Sequence, residues 1–563
     1  MAHGSDGANE YLERLRDIQL TRRRFLQGTS LAAAGAILAA CGGSAATPTS
    51  AVGAAAPTAA KAPKPTGAHP DELVVTWGTY QLTTTHLDPQ IHGGTIAESQ
   101  LRHIYEPLVQ IDRDLKTVKP QLATEWKRLD DLTYEFKLRQ GVKFHNGEDF
   151  DADAAKFSIM RPLDPANNAS LRTTYTVIQE VQVVDKYTLR IKTAKPDPAL
   201  LLRMTGFSMT MVAPKWVQQG GNAIFQKEAV GTGPYKLAQG GYTGPQNDIR
   251  LEANESYWAG APKVKKVRLK VIQELATRTA ALRSGEVQVA KDVSVEEIDS
   301  INKSNRALAK LTQSNRIPYY VMDVRNAPTD KKQVRQAINY AANIEGIIQN
   351  VLYGNATRIA TTVAPWHVGF NADLKPYPYD PEKAKSLMKE AGYPDGFDLD
   401  VNYIQGRYMK DKEVAEAIAQ ELNKVGIRTK PILWDPALMT QKDNAKELRG
   451  IIFASWGNWI FDADNQLYSR WHTSARDTAN GGKGASSLPY SNPDFDKQVE
   501  AARYELDPQK RLDEYKQAQQ ILYDDAAALF MYTLTDVYGV DNWVTWEPRK
   551  DEMVWAHEMA WNE

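Results

Sequence analysis

The stretch "YDPEKAKSLMKEAGYPDGFDLDVNYI", Tyr379 to Ile404, constrains the fold more than any other. Asp380 suits a helix N-cap, Pro381 the first helical position, and Glu382 the positive end of the helix dipole. Ala384, Leu387, Met388 and Ala391 then repeat at helical spacing, and Gly392 suits the stop. A short apolar strand follows. The alternation recurs on either side. "KKQVRQAINYAAN" carries Val334, Ala337, Ile338 and Ala341, and "KEVAEAIAQELNKVG" carries Val414, Ile418, Leu422 and Val425 ahead of Gly426. "GIIFAS" reads as a strand, and Pro493 and Pro508 each open a further capped helix. Helices alternating with short apolar strands predict an α/β domain with a largely parallel sheet. The region from about 110 to 225 is richer in strands and turns. There, "DLTYEFKLR" sets Leu132, Tyr134, Phe136 and Leu138 on one face and Thr133, Glu135, Lys137 and Arg139 on the other. Leu73 to Trp77, "KYTLRIKT" and "KVRLKVI" also read as strands. At 563 residues the chain exceeds one compact core, so two or three domains are expected.

The ends of the chain differ in kind. Arg22 and Arg23 precede an apolar run from Leu31 to Ala40. A membrane-spanning helix needs roughly 20 apolar residues, so this run reads as the hydrophobic core of a signal peptide. "TRRRFL" resembles a twin-arginine export signal, and "LAAC", Leu38 to Cys41, resembles a bacterial lipobox with Cys41 as the lipidated residue. The alternative is a short buried helix that ends in a chance cysteine. Residues 42–70 are dominated by Ala, Pro, Thr, Ser and Gly and read as a flexible tether, with the folded body beginning near Asp71. Cys41 is the single cysteine, which excludes disulfides within the chain and a thiolate metal cluster. Lys plus Arg is 68 and Asp plus Glu is 69, so no net field draws the chain to nucleic acid.

Catalytic signatures do not emerge. There is no HExxH and no GxSxG, and "GGKGASS" lacks the spacing of a P-loop. "GTGPYK" has two glycines but not the dinucleotide fingerprint. The nine histidines are scattered, and His86 and His92 are too isolated to form a metal site. In "SWGNWIFDADN", the "DADN" resembles the start of a calcium loop without its later Gly and Glu. Asp462 and Asp464 could form the acid pair of an exported hydrolase, but no nucleophile or base supports them. No catalytic residue, metal or cofactor is therefore expected.

Several motifs then converge on one family. "LATEWKRLDDLTYEFKLRQGVKFHNGEDFDADAAKFSIMR", residues 122–161, resembles the signature of family 5 extracellular solute-binding proteins. Further matches are "LDPQ" at Leu87, "IYEPLV" at Ile104, "GTGPYKL" at Gly231 and "ANESYWAGAPKVKKVRLKVI" at Ala253. "VRQAINYAANIEGII" at Val334 and "YDPEKAKSLMKEAGYPDGFDL" at Tyr379 follow in the family's order. One departure is Gln288, where Asp is usual, and it is expected to be neutral. The resemblance implies a type II periplasmic-binding-protein clamshell of three domains. Domain I takes residues 71–111, 226–325 and 526–563, domain II is an insertion at 112–225, and domain III is the α/β lobe at 326–525. It also implies a monomeric receptor that captures a peptide or small-molecule ligand between lobes and passes it to ABC permease subunits. Such a receptor is exported and, through a lipidated Cys41, held at the outer face of the cytoplasmic membrane or in the periplasmic space.

The resemblance places two segments in the ligand cleft. The loop "QIHGGTIAE" offers His92, Gly93, Gly94 and Thr95, with backbone groups that an extended ligand can approach closely. The alternative is a plain glycine turn feeding the helix that contains Arg102. The second segment is the loop with two tryptophans. Peptide-binding relatives commonly read Trp-x-x-Asp, and that Asp holds the peptide's ammonium group. Here Trp456 matches the Trp and Trp459 occupies the Asp position, with Asp462 and Asp464 the nearest carboxylates. A pocket of Trp456, Asn458 and Trp459, with Tyr80, Gln405, Tyr408 and Asp462 near it, would suit a peptide if a carboxylate reaches back. It would suit an oligosaccharide if the indole faces stack on sugar rings, and a metal chelate is the third ligand class in the family. Alternatively, Trp459 packs under domain III and touches no ligand.

Overall fold

In the computed structural model, which describes residues 68–562 apart from 79–85, 245–247, 407, 446 and 477–489, the strands build three large sheets and two small two-stranded ones. Arg22, Arg23, Cys41 and Tyr80, with the signal and nearly all of the tether, lie outside the described residues. Residues Lys61–Glu563 form one unit.

The first sheet has eight strands. Leu73–Trp77 is central, parallel to Lys266–Val271 on one side and to Val289–Lys291 on the other. All five of its residues are buried, as a strand covered on both faces requires. Tyr532–Asp541 runs antiparallel to both Val289–Lys291 and Ala307–Gln313. The second sheet joins Ala123–Arg128, Thr133–Leu138, Thr188–Thr193 and Ile178–Asp185, all antiparallel. Within it Phe136 and Leu138 face the core as predicted. Glu135, predicted on the outer face, is covered as well, because Lys127 at 3.2 Å and Arg190 at 2.9 Å close over it.

The third sheet orders its strands Ile427–Leu433, Phe397–Tyr403, Ile451–Gly457, Arg316–Met322 and Ala528–Phe530. The first three are parallel neighbours, but Arg316–Met322 runs antiparallel to both Ile451–Gly457 and Ala528–Phe530. The expected largely parallel sheet is thus a mixed one. Helical crossovers enforce parallel pairing, and the last two strands are instead each joined directly to a strand of the first sheet: Arg316–Met322 follows Ala307–Gln313, and Ala528–Phe530 runs on into Tyr532–Asp541. The helices match the sequence reading closely: Lys332–Ala341, Pro381–Glu390, Asp411–Asn423, Pro493–Tyr504 and Pro508–Asp524. Asp380 accepts from the Lys383 N–H at 2.9 Å, and Asp507 from the Lys510 N–H at 2.8 Å, so both caps are formed.

The chain crosses between the first and third sheets at Ser314–Asn315 and at Met531. The two crossings lie side by side, for the Ser314 N–H donates to the Leu534 carbonyl at 2.8 Å. The Asn315 amide donates to the Asn458 carbonyl at 2.7 Å, and its oxygen lies 2.5 Å from His367 Nε2. Burial lowers the His367 pKa to about 3, so the ring is neutral and Nε2–H is the donor to Asn315.

The motif runs converge on buried polar hubs. Asp88 makes a bidentate pair with Arg161 at 3.0 and 2.5 Å. Gln90 donates to the Ser158 and Thr210 carbonyls at 2.7 and 2.9 Å. Gly231 and Gly233 press on residues 103 and 104: a Cβ on Gly231 would stand 2.0 Å from the Ile104 carbonyl oxygen. Gln288, the family departure, is satisfied by the Val74 N–H and the Gly285 carbonyl, each at 2.8 Å. Glu106 of "IYEPLV" accepts from Tyr257 at 2.6 Å, Thr232 at 2.7 Å, Trp258 at 3.1 Å, and also from Gln121. Burial raises its pKa even against these four donors. Removing the carboxylate strands all four donors, so Glu106→Ala is expected to cost about 3 kcal/mol of folding free energy, read from urea denaturation.

Candidate functional site

Between the strand Phe397–Tyr403 and the helix that starts at Asp411 lie residues 404–406 and 408–410. This segment faces the ends of first-sheet strands across a cavity of about 520 Å³. Lys410 ties the two sides together through an ion pair with Glu296. Val293, Val295, Ile404, Met409, Leu534 and Val537 supply apolar wall.

Charged side chains line one part of the cavity. Lys291 is buried and shared among three carboxylates, Asp292 and Glu552 at 3.2 Å and Asp536 at 3.9 Å. Arg316 pairs with Glu552 at 3.0 Å and donates to the Thr95 hydroxyl at 3.1 Å. Burial opposes the charge on Lys291 and Arg316, yet the carboxylates hold both pKa values above their ordinary ones. Glu552 is kept below the usual carboxylate range because Arg316 and Lys291 outweigh its burial. Asp536 goes the other way. Burial, with the negative fields of Glu552 and Asp292, outweighs Lys291 and Arg316 and raises its pKa to about 7. Its Oδ2 accepts no hydrogen bond from any described residue. Arg278 lies over Gly78 and donates to the Ile272 carbonyl at 2.6 Å and the Asp292 carbonyl at 2.5 Å.

The residues singled out by sequence divide into groups. Gln405 and Tyr408 line the cavity. Thr95 touches the lining residue Arg316, and its neighbour Ile96 lines the cavity directly. His92, Gly93 and Gly94 sit in the preceding loop, outside the lining. Both His92 ring nitrogens are buried without a partner, and burial lowers its pKa to about 4. Trp456, Asn458 and Trp459 are also outside the lining. Trp456 is half-buried, donates to Asn465 at 3.0 Å, and carries the Arg470 guanidinium 4.6 Å over its ring. Trp459 is only 8% exposed and packs on Phe207, centroid to centroid 6.3 Å. Asn458 donates to the Asp462 carbonyl at 2.7 Å.

The two carboxylates beyond the tryptophans are committed elsewhere. Asp462 is fully buried in a bidentate pair with Arg511, both contacts 2.8 Å. Asp464 pairs with Arg203, with Arg503 at 3.7 Å, and these arginines hold its pKa low despite burial. Arg203 comes from the helix Leu200–Met204, beyond the second sheet in sequence, so this buried pair joins that region to the third-sheet segment. Neither carboxylate reaches back toward Trp459. An arginine on each also removes the shared, perturbed proton that an acid pair needs.

Lys291, Asp292, Arg316, Asp536 and Glu552 escaped the sequence reading. The signal was a charged residue inside an apolar strand, as in "TLTDVYGV" and "VAKDV", since burying such a charge needs a partner. Asp536 keeps its proton in the folded protein at pH values where an unfolded Asp has lost it. Wild-type stability therefore falls as pH rises from about 4 to about 7. Asp536→Asn removes this dependence. Between pH 5 and pH 8 the wild type is expected to lose about 2 kcal/mol relative to the variant, read as denaturation midpoints at the two pH values.

Comparison with known proteins identifies the family. A family profile described as "Bacterial extracellular solute-binding proteins, family 5 Middle" matches residues 117–478. The glutathione-binding protein GsiB of Salmonella paratyphi A is 31% identical over 454 residues, covering 78% of this chain and 85% of the relative. GsiB of Pectobacterium atrosepticum is 28% identical over 485 residues, covering 85% and 92%. Among solved structures, the periplasmic binding protein DppA from Helicobacter pylori in complex with the peptide STSA superposes with a TM-score of 0.73 at 25% identity, covering 87% of this chain and 98% of that one. NikZ from Campylobacter jejuni with Ni(L-His) gives a TM-score of 0.75 at 21% identity, covering 87% and 99%, and speaks for the fold alone. The α/β architecture is that of the type II periplasmic binding proteins, and the chain belongs to family 5 of the bacterial extracellular solute-binding proteins, the substrate-binding components of ABC transporters.

Proposed function

We propose that this solute-binding protein captures a short peptide, or a small molecule with peptide-like charges, in the cavity between residues 404–411 and the first sheet. The carrying observation is that cavity itself: about 520 Å³, with charged groups of both signs beside apolar wall. Small-ligand pockets span about 300–1,000 Å³ and combine apolar lining with a few placed polar groups. A peptide brings the same mixture of ammonium, carboxylate and apolar side chains. The glutathione-binding relatives and the peptide-bound DppA agree with this class.

The oligosaccharide reading draws less support. It needs an open indole face, whereas Trp459 faces Phe207 and Trp456 and the Trp456 ring carries Arg470. On this reading the tryptophan segment Trp456, Asn458 and Trp459 backs the cleft, while Gln405, Tyr408 and Thr95 stand closest to ligand. His92, Gly93 and Gly94 form the loop that leads into it.

The three larger sheets support a three-domain reading, although two strands of the third, Arg316–Met322 and Ala528–Phe530, lie outside the 326–525 drawn from sequence. The paired crossings at Ser314–Asn315 and Met531 are the natural hinge. Rotation about two adjacent strand junctions closes the lobes without breaking either sheet. Ligand bound between the lobes stabilises the closed form, and that form is what the permease subunits read. Export by the twin-arginine route and lipidation of Cys41 would hold the monomeric receptor beside its transporter, since several acyl chains anchor a protein that one chain does not.

A thermal-shift panel tests the ligand class. Glutathione and unmodified di- and tripeptides are expected to raise the melting temperature. At a concentration of about 100 Kd the stabilisation is about 2.7 kcal/mol. A rise with oligosaccharides or nickel–histidine chelates, and none with peptides, would replace this reading. For the tether, Cys41→Ser is expected to move the protein from the membrane fraction to the soluble fraction of fractionated cells, and an unchanged distribution counts against lipidation.

A further inference from the structure

The cavity lining contains six carboxylates, and their partners set one apart. Asp292 accepts from Lys291 at 3.2 Å, and Glu552 accepts from Lys291 at 3.2 Å and from Arg316 at 3.0 Å. Glu296 is paired with Lys410, and Glu413 lies 3.4 Å from the same ammonium. Asp411 accepts from the backbone N–H groups of Gly406 at 3.1 Å and Lys412 at 2.9 Å. Asp536 is the exception. Its side chain is 10% exposed and, among the described residues, its Oδ2 has no donor and its nearest cation is Lys291 Nζ at 3.9 Å, which sits closer to two other carboxylates.

A buried carboxylate without donors is unfavourable unless it binds a proton or a cation. The groups facing Asp536 cannot supply that cation unaided. Lys291 and Asp292 come from the end of one first-sheet strand, Arg316 from the start of a third-sheet strand, Glu552 from the C-terminal segment, and Tyr538 from Asp536's own strand. Arg316 is taken by Glu552 and Thr95, and Lys291 is divided three ways. An ammonium entering the cavity would bring the hydrogen-bond donors that Asp536 lacks.

We infer that Asp536 is the anchor for the ligand's cationic group, an α-ammonium in the peptide case. The inference rests on the proposed peptide class and goes beyond it by assigning the amine-binding residue to a first-sheet strand. It also accounts for Trp459. With Asp462 held by Arg511 and Asp464 by Arg203, the tryptophan segment offers no free carboxylate, and Asp536 takes the role from a first-sheet strand. The raised proton affinity of Asp536, near pH 7, fits an anchor that exchanges its proton for the ligand's positive charge.

The test uses titration calorimetry with glutathione and trialanine, each with a free and with an acetylated N-terminus, on the wild type and on Asp536→Asn. The wild type is expected to prefer the free amine by at least about tenfold. The variant is expected to lose that preference by weakening for the free-amine form while binding the acetylated form unchanged. A wild type that binds both forms equally, or a variant that keeps the preference, overturns the anchor and leaves the peptide class standing. Failure of all four compounds to bind the wild type overturns the peptide class, and the anchor with it. Should the variant fold poorly, the wild type gives the second readout. Calorimetry in two buffers of different ionisation enthalpy at pH 7 is expected to show net proton release on binding a free-amine ligand. No release overturns the inference.

Discussion

Two adjacent strand crossings set the geometry of everything else. At Ser314–Asn315 and at Met531 the chain leaves one sheet and enters another without a helix between them. The residues on either side must therefore lie at the boundary of the two sheets. Arg316 is the first residue past one crossing, and Leu534 to Val537 follow shortly after the other. Both therefore line the cavity. The hydrogen bond from Ser314 to Leu534 holds the crossings together, and the buried Asn315–His367–Asn458 set ties them to the loop that carries Trp459.

Buried charge does two different jobs in this molecule. Asp88 with Arg161, Asp462 with Arg511, and Asp464 with Arg203 are close, well-hydrogen-bonded pairs far from open space. Such pairs contribute little net stability, but breaking one by removing a partner costs several kcal/mol, about 3–5. They fix which segments meet. The cluster of Lys291, Asp292, Arg316, Asp536 and Glu552 differs because it borders a cavity and leaves one carboxylate without a donor. Residual unsatisfied polarity beside open space is what a binding site for a charged ligand presents.

Local structure was legible in the sequence because caps and periodicity are local. Asp380 and Asp507 cap the helices read from their flanking prolines, and Leu73 to Trp77 is the strand it looked like. The mixed order of the third sheet was not legible, since two of its strands come from segments that the helix–strand alternation does not include. The family motifs were legible as a signature but not as chemistry. "IYEPLV", "GTGPYKL" and "ESYW" meet at Glu106, a structural hub, rather than at the cavity. The charged wall was hidden because it assembles one or two residues at a time from near positions 291, 316, 536 and 552. In the strand Tyr532–Asp541 the Asp536 charge looks like a break in a largely apolar run. Trp459 was legible as a substitution, while its packing on Phe207 depends on a contact between distant segments.

The central claim is that ligand occupies the cavity bounded by residues 404–411 and the first sheet. A crystal structure of the protein grown with glutathione or trialanine tests it most directly. The account predicts ligand density in that cavity, with a ligand nitrogen about 3 Å from an Asp536 carboxylate oxygen. Density stacked on Trp456 and Trp459, with the cavity filled only by water, would contradict it.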